Sequence, residues 1–241
     1  MTMIHSAINS KFKEAEQIYG MPSFFVRAIV LFPFIVVIVS CLLIIIPQTR
    51  SASFWIILSE NGPVELTTFV LLVLGGIRGL VLVRLMMRCG EGRFVYGFFA
   101  LFSIGLLIVG MEEVSWSQTF FGFETPSLIR NINEQEEVTL HNIYFLQGHS
   151  ECFRLTYGLG GIVGILLCSL RYYPKLGVPM ILLPWFLIFV VLAGIDLYND
   201  YYVIHEQFDF LIHMLSEIVE MLIAISGFLY MLLNARAHNS E

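Results

Sequence analysis

Charge is scarce in this chain. Of 241 residues only 13% are Asp, Glu, Lys or Arg, about half the share of a soluble globular protein, and Lys plus Arg total 13. So few cations make no basic face, which excludes a nucleic-acid binder working through phosphate contacts. Disorder is excluded by the opposite excess, since 57% of the residues are hydrophobic and 21 are Phe. Cys41, Cys89, Cys152 and Cys168 stand in no C-x-x-C pair, and three of them lie in or beside apolar runs. Neither a disulfide framework nor a zinc ribbon is indicated. Also missing are G-x-x-x-x-G-K-[ST], G-x-G-x-x-G between strand and helix, H-E-x-x-H and G-x-S-x-G, which leaves no motor for nucleotide-driven transport and no recognisable nucleophile elbow.

What the chain does have is long apolar runs. A bilayer core about 30 Å thick takes about 20 apolar residues per helix. Six stretches meet or approach that length: 24–46, 64–86, 94–113, 155–170, 178–196 and 208–233, the fourth being the shortest and richest in glycine. The expected fold is an all-α polytopic membrane helix bundle of six transmembrane helices, a single domain over 24–241. Ahead of it, 1–23 places Ile4, Ile8, Phe12, Ala15 and Ile18 at helical spacing between charged residues, the pattern of an amphipathic helix on the inner leaflet. Between spans three and four runs a long connection, 114–153, read as a folded cap with a short helix beginning at Pro126 behind Thr125.

Lys and Arg bias in short loops sets orientation. With alternating helices, Lys11, Lys13, Arg27, Arg84, Arg88, Arg93, Arg171, Lys175 and Arg236 fall on one side, and only Arg50, Arg130 and Arg154 on the other. Both termini are expected in the cytoplasm. Acids follow the reverse: all but Glu14, Glu16, Glu91 and Glu241 fall at the outer surface or in the outer ends of spans.

An ionisable group within a span costs about 2.5–3.5 kcal/mol on insertion scales and usually faces a bundle interior or a water path. In the sixth span Glu206, Asp209, His213, Ser216, Glu217 and Glu220 step by three or four, forming one polar stripe. His213 and Glu217 are four apart, a spacing that lets two side chains ligate one metal ion. Span three ends in Glu112-Glu113-Val114-Ser115-Trp116-Ser117-Gln118; continued helically, Glu112 would share a face with Ser115 and Trp116, and Glu113 with Ser117. Two adjacent glutamates there would repel unless a cation, a proton or separate partners relieve them. In the cap, Glu137 and His141 are four apart, with Asn142, His149 and, later, His205 as weaker candidates. Asp196 ends span five and could join the group. Glu65, in the first turn after Pro63, reads foremost as a helix-start carboxylate, and Arg78 as a side chain snorkelling inward.

The string Glu112-Glu113-Val114-Ser115-Trp116-Ser117-Gln118, followed by Pro126 and by Asn133 through Leu140-His141-Asn142, resembles that of a bacterial polytopic inner-membrane protein family of uncharacterised activity. The resemblance covers about a fifth of the chain and implies a bacterial inner-membrane location. A more distant likeness is to the alkaline-ceramidase-like membrane hydrolases, which set histidines, an acid and a serine around a metal. That family has seven spans and His-x-x-x-His in the last; here there are six and His213-x-x-x-Glu217.

The first expectation is thus an outward-facing site holding a divalent cation (Zn, Mn or Fe) through His213, Glu217 and His141, with Glu112, Glu113 and Glu220 as candidate catalytic groups. A water on that metal would serve hydrolysis of a lipid-linked substrate. Two alternatives use the same residues: a proton- or cation-coupled carrier or channel subunit, and a non-catalytic binding or scaffold subunit. Partners would be the lipid bilayer and either a second copy or a membrane complex, with no nucleic acid. The sequence below Glu220 looks almost dry, which counts against through-conduction.

Overall fold

A computed structural model describes residues 2–59, 61–127, 138–139, 150–170, 174–202 and 206–240. Among these the chain is helical with no strand: α1 (Thr2–Tyr19), α2 (Ser23–Ile45), α3 (Pro47–Leu58), α4 (Pro63–Arg88), α5 (Arg93–Glu113), the short α6 (Gln118–Phe121), α7 (Ser150–Ser169), α8 (Leu183–Tyr201) and α9 (Glu206–Ser240). Six of the helical stretches are long and apolar enough to cross a membrane, carried by α2, α4, α5, α7, α8 and α9. The protein is therefore a multi-pass membrane helix bundle. Its outer girdle is apolar, as lipid contact demands: Leu31, Ile35, Ile38 and Leu42 on α2 and Leu101 and Ile108 on α5 are all exposed.

Boundaries depart from expectation in several places, among them the last helix, which runs on to Ser240 rather than ending at 233. The fourth span starts at Ser150, not 155, so Glu151 and Arg154 belong to a membrane helix rather than to a loop; Ser150 opens it and Glu151 sits in its first turn, where the helix dipole favours an acid. The fifth runs to Tyr201, which puts Asp196 inside the helix. One helix was not anticipated at all: α3 begins with Pro47 at its first position, where the missing N–H costs nothing. On it Arg50 lies 4.8 Å from the centroid of the Phe210 ring of α9.

The bundle is organised around α9. It packs most extensively on α4, which pairs in turn with α5, and also on α8, which pairs with α7. Glycine permits these close approaches. A Cβ at Gly79 of α4 would overlap Ser103 of α5, and one at Gly161 of α7 would overlap the Phe186 ring of α8. The helix α1 expected on the membrane surface packs against α2 and α9, with Ala15 buried.

At one end of the bundle α5 and α8 finish and α4, α7 and α9 begin; acids concentrate there. At the opposite end, Lys175 Nζ lies 2.7 Å from both carboxylate oxygens of Glu91, tying the connection before α8 to that before α5. Nearby, Tyr230 of α9 donates to the carbonyl of Leu176 at 2.7 Å, and the fully buried Trp185 donates to the carbonyl of Ile29 at 2.9 Å. These bonds rivet α8 and α9 to their neighbours and leave motion, if any, to the acidic end.

Candidate functional site: an arginine held between helices

The deeper part of the α9 stripe, Ser216, Glu217 and Glu220, faces the seam between the α4–α5 and α7–α8 pairs. On the α7–α8 side, Arg154 of α7 donates from Nη2 to Asp196 Oδ2 of α8 at 2.6 Å and from Nη1 to Glu220 Oε1 of α9 at 2.8 Å. Ser216, one turn before Glu220, donates to the same Asp196 oxygen at 2.8 Å. Three helices thus share one guanidinium, whose side chain is 8% exposed. A planar, permanently charged fork is the side chain suited to bridging two carboxylates in this way.

On the α4–α5 side, Glu113 at the end of α5 lies within electrostatic reach of Glu112, of Glu65 on α4, and of Glu217 and Glu220 on α9. Arg154 in turn lies within reach of Glu217. Glu65 also has the expected helix-start role, its Oε2 accepting from the backbone N–H of Asn61 at 2.6 Å. Nearer the helix ends, Asp200 is within reach of Asp196, Glu151 and Asp209. There Asn199, 1% exposed, donates to Asp209 Oδ1 at 2.8 Å.

The helical continuation expected after Glu113 does not occur. Ser115, Trp116 and Ser117 take positive φ values of 45°, 52° and 73°, a left-handed turn of three consecutive non-glycine residues. Such backbone costs of order 1–3 kcal/mol per residue and persists only where its surroundings hold it. The turn swings Trp116 back so that its Nε1 donates to Glu112, giving that carboxylate a partner of its own while it stays within electrostatic reach of Glu113. Gln118 is held as well, donating to Thr125 at 2.9 Å and accepting from the backbone N–H of Val138 at 2.9 Å. Thr125 thus accepts a bond from Gln118, and the helix expected from Pro126 lies outside the described residues.

Of the expected site residues, Glu112, Glu113, Glu217 and Glu220 are brought together, with Asp196 beside them. His213 is not; it is exposed, with no partner among the described residues. His141, Asn142, His149 and His205 lie outside the described residues, as does Glu137. Among the described residues no group of three or more His, Cys, Asp or Glu side chains is arranged to hold a metal ion. Arg78 has a buried Nε without a hydrogen bond among the described residues.

Two features were missed in the sequence. Arg154 was assigned to a loop, although Ser150-Glu151 at the head of an apolar run is a helix-start signal that would have put it one turn inside. The interior below Glu220 is also less dry than expected: Tyr157 of α7 and Ser226 of α9 share a hydrogen bond at 3.0 Å, and Tyr230 follows one turn on. No family model, curated protein or solved structure matches this chain.

Proposed function

We propose that this protein is a proton-coupled membrane carrier whose proton site is the Asp196–Arg154–Glu220 bridge. The acidic end faces outward and both termini lie in the cytoplasm, as the Lys and Arg bias implies, in a bacterial inner membrane. The observation that carries the reading is the bridge itself: one buried cation divided between acids on two other helices.

The physics is that of competition. Facing Arg154 are Asp196 on α8 and Glu217 and Glu220 on α9, and Glu113 on α5 adds its charge within reach of Glu217 and Glu220; one cation does not offset that many acids in a low-dielectric interior. A proton arriving from the acidic end and binding a Glu220 oxygen removes one of the two charges that hold the guanidinium. Arg154 then stays with Asp196 alone, and the ionic link from α7 to α9 is released, while the Ser216–Asp196 and Asn199–Asp209 bonds between α8 and α9 and the Glu91–Lys175 end stay fastened. Relative movement of the two helix pairs is what a carrier requires, and it needs no continuous channel. A metal-dependent hydrolase would instead need His213 turned toward Glu217, where it would serve as a ligand.

Amide hydrogen exchange against pH tests this. In the wild type, exchange at the acidic ends of α7 and α8 rises as the pH is lowered; in Glu220→Gln it stands at the raised level throughout. Exchange that is the same in both proteins at every pH contradicts the reading.

A further inference from the structure

We infer that the flank of the α4–α5 pair turned away from α9 binds an anionic phospholipid, its phosphate held by Arg84, Arg88 and Arg93. All three arginines are exposed, and none bonds to an acid among the described residues. Other cations at this end are committed: Lys11 lies 2.7 Å from Glu14, and Lys175 takes both carboxylate oxygens of Glu91. Glu91 stands between Arg88 and Arg93 in sequence, yet the cations acting on it are Lys175 and His238. The described part of the chain therefore supplies no counter-charge to the three guanidiniums.

Packing register brings the arginines together. Gly79 of α4 lies against Ser103 of α5, and Gly110 of α5 against Leu72 and Val73 of α4. The two helices are antiparallel, so Arg84 comes level with Phe98, and Arg88 with Phe94, next to Arg93. At about 100° per residue, Ile77, Val81, Arg84 and Arg88 form one stripe on α4, and Arg93, Gly97, Leu101 and Ile104 one on α5; every one of them is exposed. The other flank belongs to α9, whose Phe228 and Met231 meet Gly75 and Gly79 and whose Tyr230 stacks on Phe99. Each stripe is apolar toward the middle of the bilayer and cationic at its end, the order of chain and phosphate along an anionic phospholipid. A Cβ at Gly97 would meet open space, so the surface between Arg93 and Arg84 is unfilled. Arg84 and Arg88 are about 6 Å apart along the axis at about 1.5 Å per residue, and their long stems carry the charges to head-group depth. Guanidinium forks match phosphate oxygens in pairs. A zwitterionic lipid brings its own ammonium to the same place and gains less. Under the orientation proposed above this is the cytoplasmic leaflet, where basic sites between helices take anionic head groups. The inference goes beyond proton coupling and does not depend on it.

The test is native mass spectrometry of the full chain in detergent, titrated with dioleoylphosphatidylglycerol or with dioleoylphosphatidylcholine. The wild type is expected to hold the phosphatidylglycerol more tightly by about tenfold or more. Arg84→Gln, Arg88→Gln and Arg93→Gln, all at exposed positions, should each weaken it about fivefold, the effect of one cation near the membrane surface, and leave phosphatidylcholine unchanged. Arg27→Gln, at an exposed arginine of α2 at the same end, should change neither lipid. A loss there equal to that at Arg84 overturns the inference, because charge anywhere at this end would then suffice. Equal affinity for the two lipids overturns it as well. Excess sn-glycerol 3-phosphate should not displace the lipid; displacement would make the occupant a soluble phosphate ester and contradict a lipid site. A dimer that the arginine variants dissociate, with no lipid preference, would assign the flank to a second copy and likewise overturn it. Exchange without pH dependence, with the lipid preference intact, would refute the coupling reading alone.

Discussion

Arg154 on α7 and Glu220 on α9, 66 positions apart in sequence, meet at 2.8 Å inside the bundle. Neither residue makes sense alone in a membrane. Removing the guanidinium by Arg154→Met leaves the partly buried Asp196 and the half-buried Glu220, 15% and 32% exposed, without their counter-charge; loss of one partner of a fully buried ion pair costs about 3–5 kcal/mol, and solvent reaching Glu220 makes the cost here smaller. The variant is expected to melt well below the wild type in detergent. The triple change Arg154→Met, Asp196→Asn, Glu220→Gln should recover most of that loss, and a triple variant no more stable than the single one would show that the bridge is not the source.

A second prediction concerns the hydroxyl pair below the bridge. In a double-mutant cycle of Tyr157→Phe and Ser226→Ala, the coupling should be about 0.6–1.7 kcal/mol, the range found for hydrogen bonds between membrane helices. Additive effects of the two changes would mean that the 3.0 Å contact contributes nothing to stability.

Much of this architecture was legible in advance, and the misses have identifiable causes. Apolar runs report their own length, so the six spans were readable, and a three-and-four spacing reports a helix face, so Ser216, Glu217 and Glu220 were readable as one stripe. Which neighbour each of them meets is a property of packing, which no periodicity encodes. His213 lies on the same stripe yet is exposed, although Ile212 and Met214 on either side of it are buried, because no described helix packs over that face at its level. The left-handed turn at Ser115, Trp116 and Ser117 was unreadable for a different reason: no glycine marks it, and its geometry is imposed from outside by contacts such as Trp116 with Glu112.

Helix contact in α7 rests on the absence of a side chain. Gly161→Leu would drive its side chain into the Phe186 ring, and forcing methylenes into a packed contact costs about 1–3 kcal/mol. Thermal melting should fall accordingly, and Gly160→Leu, whose Cβ would meet open space, should leave it unchanged.

The opposite end of the bundle carries a pH dependence of its own. Hydrogen bonding from Lys175, followed by the attraction of its charge, holds the Glu91 carboxyl below its ordinary value. A depressed folded-state value means that this contribution to stability is complete above the ordinary carboxylate range. It is lost as the pH falls through the depressed value. Glu91→Gln should remove that part of the acid sensitivity without affecting the protein near neutrality. A wild-type profile below the carboxylate range that matches the variant's would show the pair to be energetically idle.

The most direct test of the central claim is infrared difference spectroscopy on acidification, which reads protonated carboxyl groups individually by substitution. The account predicts a protonated-carboxyl band in the wild type that disappears in Glu220→Gln and shifts in Arg154→Met, because the guanidinium competes for the same oxygen. A difference spectrum unchanged by Glu220→Gln would contradict it, since the proton would then be binding somewhere other than the bridge.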